Sequence, residues 1–154
     1  MPLSDLLAQK AVVSALKASD KKDAIQQLAA RLGALIQRDP NEIFEILLQR
    51  ERLGSTGIGG GVAIPHAKLP KLDKIVGVFA RLVKPIDFDA LDGEPVDLVF
   101  ALLAPEQAGA DHLKALARIA RLFREPGVAA KLRGSTDVSA LFAVLTEGAT
   151  HNAA

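Results

Sequence analysis

Leu98-Val99-Phe100-Ala101-Leu102-Leu103-Ala104 is the longest uninterrupted apolar run in the chain. No polar residue alternates through it, so it reads as a strand buried on both faces, with helices packed above and below. Ile75 to Ala80 has the same character. Neither run approaches the roughly 20 apolar residues that a membrane span requires.

Outward from these runs, helical and strand-like patterns interleave, which predicts an α/β layer architecture. Ala11 to Leu16 is a candidate first strand. Asp20 is placed to cap a helix in which Ile25, Leu28, Ala29, Leu32 and Ile36 recur at helical spacing. Asp39-Pro40-Asn41-Glu42 reads as a cap, a proline at the first helical position and an acid at the third. Ile43, Phe44, Leu47 and Leu48 then form the buried stripe of a second helix ending near Gly54. Lys84 to Pro95 is expected to be a turn-rich connection. Helices are expected from about Asp111, from Pro126, and from Asp137 to Glu147. The expected domain spans residues 3–147, with 148–154 as a flexible tail that has little to bury.

A length of 154 residues fits one domain. Nineteen basic residues against eighteen acidic ones give a net charge of +1, too balanced for a protein that grips nucleic acid by charge. Cysteine is absent, which removes disulfides, thiolate metal sites and cysteine nucleophiles. Tryptophan and tyrosine are absent too, against base-stacking platforms. The start, Met1-Pro2-Leu3-Ser4-Asp5, lacks the basic and apolar regions of a secretory signal, so a cytoplasmic protein without membrane insertion is expected.

Five of the twelve glycines fall in Gly54-Ser55-Thr56-Gly57-Ile58-Gly59-Gly60-Gly61. Such a run is either a flexible link between helix and strand or a cradle whose N–H groups approach an anion. It is no Walker loop, because the sequence has no Gly-Lys pair, and it is no dinucleotide fingerprint, because Val62 and Pro65 stand in the way. Just beyond it lies His66, presented from a backbone constrained by Pro65. Taken alone, His66 is either a structural residue or a reactive one.

His112 shares an apolar helix face with Leu116, Ile119 and Phe123, as a core histidine or as part of a site. Arg50 follows Ile43 by seven residues and continues the buried stripe, where a guanidinium needs either an internal carboxylate or a phosphate. One inward arginine and two histidines together suggest a phosphohistidine site. His151 lies in the polar tail and receives no role. Two histidines without a third ligand make no zinc site, and Ser55 sits in no nucleophile elbow.

Arg50 to His66, read as Arg-Glu-Arg-Leu-Gly-Ser-Thr-Gly-Ile-Gly-Gly-Gly-Val-Ala-Ile-Pro-His, resembles the signature of the mannitol/fructose-type (type-2) enzyme IIA domain of the bacterial phosphotransferase system. The likeness continues through Pro85-Ile86-Asp87-Phe88, Asp92 to Asp97, Ala101 to Pro105 and His112-Leu113. Gly-Ser-Thr-Gly-Ile-Gly is most similar to the nitrogen-regulatory branch. The resemblance implies a mixed β-sheet flanked by helices on both faces. It further implies a phosphoryl group carried on Nε2 of His66, with Arg50 and His112 in the same pocket.

On that footing Arg50, Ser55, Thr56, Gly59 and Gly60 are expected to bind phosphate, and no cofactor or metal is expected. The expected donor is a histidine-containing phosphocarrier protein, and the expected targets are regulated transporters or sensor kinases. A sugar-transport role, with phosphate passed to a membrane enzyme IIB, and a non-covalent phosphate sensor are the alternatives.

Overall fold

The structure is a computed structural model and describes residues 2–148. His151 and all of the expected tail except Gly148 lie outside the described residues. The chain opens with two short 3-10 turns, Leu3–Asp5 and Gln9–Ala11, and enters strand β1 (Val12–Leu16). Helix α1 (Lys21–Ile36) is capped by Asp20, whose carboxylate accepts the Asp23 N–H. Helix α2 (Pro40–Leu53) is capped by Asp39 through the Asn41 N–H, with Pro40 at its first position. Both caps are where the sequence placed them, because each satisfies an N–H that the first helical turn leaves without a partner.

Three short strands follow: β2 (Gly57–Gly59), β3 (Val62–Ala63) and β4 (His66–Leu69). Two long ones come next, β5 (Val76–Ile86) and β6 (Val96–Pro105), then helices α3 (Ala110–Arg124), α4 (Val128–Arg133) and α5 (Val138–Glu147). The sheet runs β1-β5-β6-β3-β2, and β4 also pairs with β6. It is mixed: β1 lies parallel to β5, β5 antiparallel to β6, and both β3 and β4 parallel to β6.

Helices α1 and α2 pack on each other and against β5 and β4, while α4 reaches β6, α5 reaches β1 and α3 packs on α4. Between these layers every residue from Leu98 to Ala104 is fully buried. The core is continued by the Phe79 ring, 6.5 Å from Phe100 and 6.3 Å from Phe123.

Two boundaries differ from expectation. β5 continues to Ile86, so Lys84 and Pro85 belong to the strand rather than to the connection. The pairing of β5 with β6 is irregular between Arg81 and Ile86, and Val83, Lys84 and Pro85 are exposed there. A proline is tolerated at such a place because no ladder N–H is required of it. The helix expected at Pro126 begins instead at Val128, with Gly127 as its cap.

Candidate functional site

The glycine run is neither a loose link nor an open cradle. β2 and β3 form an antiparallel hairpin whose turn is Gly60-Gly61, with φ of +66° and +80°. Two successive positive φ values are what a tight two-residue hairpin turn demands and what glycine supplies at least cost. The turn is also pinned. The Gly60 N–H donates to Asp92 Oδ2 at 3.0 Å, and the Gly60 carbonyl accepts from Arg133 at 2.7 Å. Arg133 in turn grips Asp97 with bonds of 2.8–3.0 Å.

β6 sets the distance between this turn and the histidine. Val62 is in register with Leu98 and His66 with Leu102, four residues further along β6. At the usual rise that separation is about 13 Å. Gly59 and Gly60 are therefore not brought to His66, and the Gly60 N–H is already taken by a carboxylate that would repel an anion. The two glycines expected to bind phosphate thus stand in and beside the hairpin turn.

The Ser55 hydroxyl donates to the Phe88 carbonyl at 2.6 Å and accepts the Gly57 N–H. Thr56 is buried, with its hydroxyl and its N–H both donated to Glu51. Both side chains hold the loop together.

His66 opens β4, its strand position fixed by pairing with β6 and by the Leu102 N–H donating to the Pro65 carbonyl at 2.9 Å. Its ring is half-buried, and Nδ1 lies 2.7 Å from the Ile64 carbonyl oxygen. A carbonyl can only accept, so Nδ1 carries the proton and Nε2 is left with its lone pair. Burial pushes the His66 pKa below the ordinary histidine value, against the pull of the Ile64 bond. Arg50 lowers it further and Glu51 raises it.

His112 projects from the first turn of α3 and is 7% exposed. Its ring centroid is 5.5 Å from that of His66, and its Nδ1 is buried without a hydrogen-bond partner among the described residues. Burial lowers its pKa as well, followed by the nearby His66 and Lys68.

Arg50 departs from expectation. Ile43, Leu47 and Glu51 are the buried residues of α2, spaced by four, so the stripe runs on to Glu51 and Arg50 stands half-buried on its flank. Its guanidinium donates to the Gly54 carbonyl at 2.9 Å and makes no ion pair with a described carboxylate. Its charge acts on His66.

The residue that sequence reasoning missed is Glu51, 7% exposed, with Lys21 Nζ 2.9 Å away. Its spacing of four and eight residues from Leu47 and Ile43 was the available signal. Among the described residues no three His, Cys, Asp or Glu side chains converge as a metal site. No helix there is long and apolar enough to cross a membrane.

A family profile, "Phosphoenolpyruvate-dependent sugar phosphotransferase system, EIIA 2", matches residues 5–148. The chain belongs to that family. This EIIA chain is 61% identical over 145 residues to the "Nitrogen regulatory protein" of Bradyrhizobium diazoefficiens, covering 94% of this chain and 95% of that one. It is 36% identical over 148 residues to the protein of the same description from Escherichia coli, covering 96% and 91%.

Among solved structures, the nitrogen regulatory protein IIA-Ntr from Neisseria meningitidis superposes with a TM-score of 0.89 at 34% identity, covering 94% of this chain and 99% of that one. The mannitol IIA of Escherichia coli shares the fold, with a TM-score of 0.74 at 20% identity and coverage of 90% and 97%. The mixed sheet flanked by helices is thus the fold of the family.

Proposed function

We propose that this EIIA chain is a regulatory phosphocarrier that takes a phosphoryl group onto Nε2 of His66 from the phosphohistidine of a histidine-containing carrier protein. The observation that carries the reading is the 2.7 Å bond from Nδ1–H to the Ile64 carbonyl, which leaves Nε2 as the only free nucleophilic nitrogen of that ring.

The neutral imidazole attacks phosphorus through its Nε2 lone pair, and the new P–N bond forms as the donor's P–N bond breaks. The bonding pair returns to the donor ring, which leaves as neutral imidazole. The positive charge of the phosphorylated ring passes to His66, whose Nδ1–H stays bonded to Ile64, so no proton has to move. A lowered pKa keeps His66 in the reactive neutral form near pH 7.

Arg50 supplies positive charge to the transferring oxygens. The hydrogen bond that orients the His66 ring is the one to the Ile64 carbonyl. The His112 ring, 5.5 Å from that of His66, lies beside the transferring group. The regulatory role is supported by the 61% identity with a nitrogen regulatory protein. A non-covalent phosphate sensor is disfavoured, since the Ser55 and Thr56 hydroxyls and the Gly60 N–H are all engaged within the protein.

Incubation with phosphoenolpyruvate, enzyme I and the carrier protein tests this. An acid-labile gain of one phosphoryl group, lost in His66→Ala, is expected. No gain in mass would overturn it. Deletion of the gene separates regulation from sugar transport: a growth defect confined to mannitol or fructose would go against the regulatory role.

A further inference from the structure

Glu51 is an unusual residue for its place. It sits in the last turn of α2, where the helix dipole favours cations, and it occupies a stripe position that Ile43 and Leu47 fill with hydrocarbon. A buried ion pair such as Glu51–Lys21 is seldom more stabilising than apolar side chains of the same volume. Stability alone is therefore a weak reason for a carboxylate here.

Its partners suggest another reason. Lys21 Nζ donates to Glu51 Oε2 at 2.9 Å and to the Phe88 carbonyl at 3.3 Å, and lies 4.9 Å from the centre of the Phe88 ring. Glu51 accepts both the N–H and the hydroxyl of Thr56. The Thr56 carbonyl accepts the Ile64 N–H at 3.0 Å, and the Ile64 carbonyl accepts Nδ1–H of His66 at 2.7 Å. These bonds, joined through the backbones of Thr56 and Ile64, tie Lys21 on α1 and Glu51 on α2 to the carbonyl that holds the imidazole. Each bond fixes the backbone that the next one depends on, so the coupling is one of position.

We infer that Glu51 is a positioning residue for His66, acting through Thr56 and Ile64 to hold the Ile64 carbonyl as the acceptor that fixes the histidine in its Nδ1–H tautomer. It touches no reacting atom. Its effect is to keep Nε2 bare and aimed, the role that carboxylates and carbonyls behind metal-binding histidines fill when they set tautomer and ring orientation. Without Glu51, Thr56 loses the partner of both its donors, and Ile64 is held less firmly. Neutral His66 then also populates the Nε2–H form, whose Nε2 cannot attack phosphorus. The inference takes from the phosphocarrier reading only that Nε2 is the reacting atom.

Nitrogen-15 NMR of the His66 ring, recorded above its pKa in wild type and Glu51→Gln, tests the tautomer directly. The transfer rate at saturating carrier protein tests its consequence. Wild type is expected to be almost wholly Nδ1–H. Glu51→Gln is expected to show a clear Nε2–H population and transfer about tenfold more slowly, with KM for the carrier little changed.

Unchanged ring nitrogens in a Glu51→Gln protein that merely melts earlier would overturn the inference. If Glu51→Gln does not fold, Thr56→Val, which removes one of the two donors, is expected to shift the tautomer the same way, with Thr56→Ser restoring it. A Thr56→Val ring identical to wild type would overturn it equally. Failure of wild type to accept phosphate would instead overturn the phosphocarrier reading and leave the tautomer comparison to decide on Glu51.

Discussion

His66 Nδ1 and the Ile64 carbonyl oxygen, two residues apart in sequence, are 2.7 Å apart in space. That one bond assigns the proton to Nδ1 and leaves Nε2 with its lone pair. Pro65 between them makes it possible, since it fixes its own φ and keeps Ile64 extended, so that the ring folds back onto a carbonyl it could not reach from a helix.

The lowered pKa values of His66 and His112 give a pH prediction with a definite sign. In the unfolded chain both titrate near the ordinary histidine value of 6.5; in the folded protein both resist protonation because they are buried. Arg50 opposes a further positive charge at His66 while Glu51 favours one, and His66 and Lys68 oppose one at His112. Above 6.5 neither state takes up protons. As pH falls below 6.5 the unfolded state binds protons first, so stability is lost progressively down to the folded-state values. Thermal melts from pH 7.5 to 5 should show a larger fall for wild type than for His112→Gln, and equal slopes would contradict the assignment.

Arg50→Ala should slow phosphorylation by about 100-fold, the usual cost of removing one group that stabilises developing charge. Its loss of stability should stay near 1 kcal/mol, because only the bond to the Gly54 carbonyl goes with it. Urea unfolding alongside single-turnover transfer separates the two effects. A variant that loses both together would show that Arg50 is structural.

The hairpin turn makes the opposite prediction. An alanine at Gly60 would meet no atom within 4 Å but would have to adopt a φ of +66°, which costs about 1–2 kcal/mol. Gly61→Ala should cost more, since its Cβ would lie 2.3 Å from an Arg133 nitrogen. Gly60→Ala should leave the transfer rate within about twofold of wild type, since Val62, at the end of the hairpin nearer His66, already stands about 13 Å away along β6. A large kinetic defect in a stably folded Gly60→Ala protein would return the glycines to the phosphate site.

Lys68, Lys71 and Lys74 are exposed on β4 and on the turn that follows it, and Lys68 is two residues from His66. Reversing these charges should slow phosphorylation by an acidic carrier at low salt and matter much less at high salt, the signature of electrostatic steering. Stopped-flow rates across a salt series provide the check. Rates unaffected by the reversal would remove the basic edge from docking.

The sequence was legible where one local pattern dictates one outcome. Asp20 and Asp39 are caps because their side chains satisfy helix N–H groups within a few residues, and the apolar runs around Phe79 and Phe100 can only be interior strands. His66 and His112 were singled out by their settings, and the sheet brings them together across a gap of 46 positions.

What misled was the long-range part. Gly60 looked free to bind an anion because its partners, Asp92 and Arg133, come from 32 and 73 residues away. Arg50 and Glu51 are neighbours on one helix turn, and a shift of 100° decides which of them faces inward. The apolar spacing of α2 allowed either until Lys21 and Thr56 were in place to receive the carboxylate.

The central claim is that Nε2 of His66 carries the phosphoryl group while Nδ1 keeps its proton. Phosphorylation from phosphoenolpyruvate through enzyme I and the carrier protein, followed by phosphorus-31 and nitrogen-15 NMR of the histidine-labelled product, reads both atoms at once. The predicted result is phosphorus coupled to Nε2 of His66, with Nδ1 still protonated and bonded. Phosphorus on Nδ1, on His112, or on no histidine would contradict it.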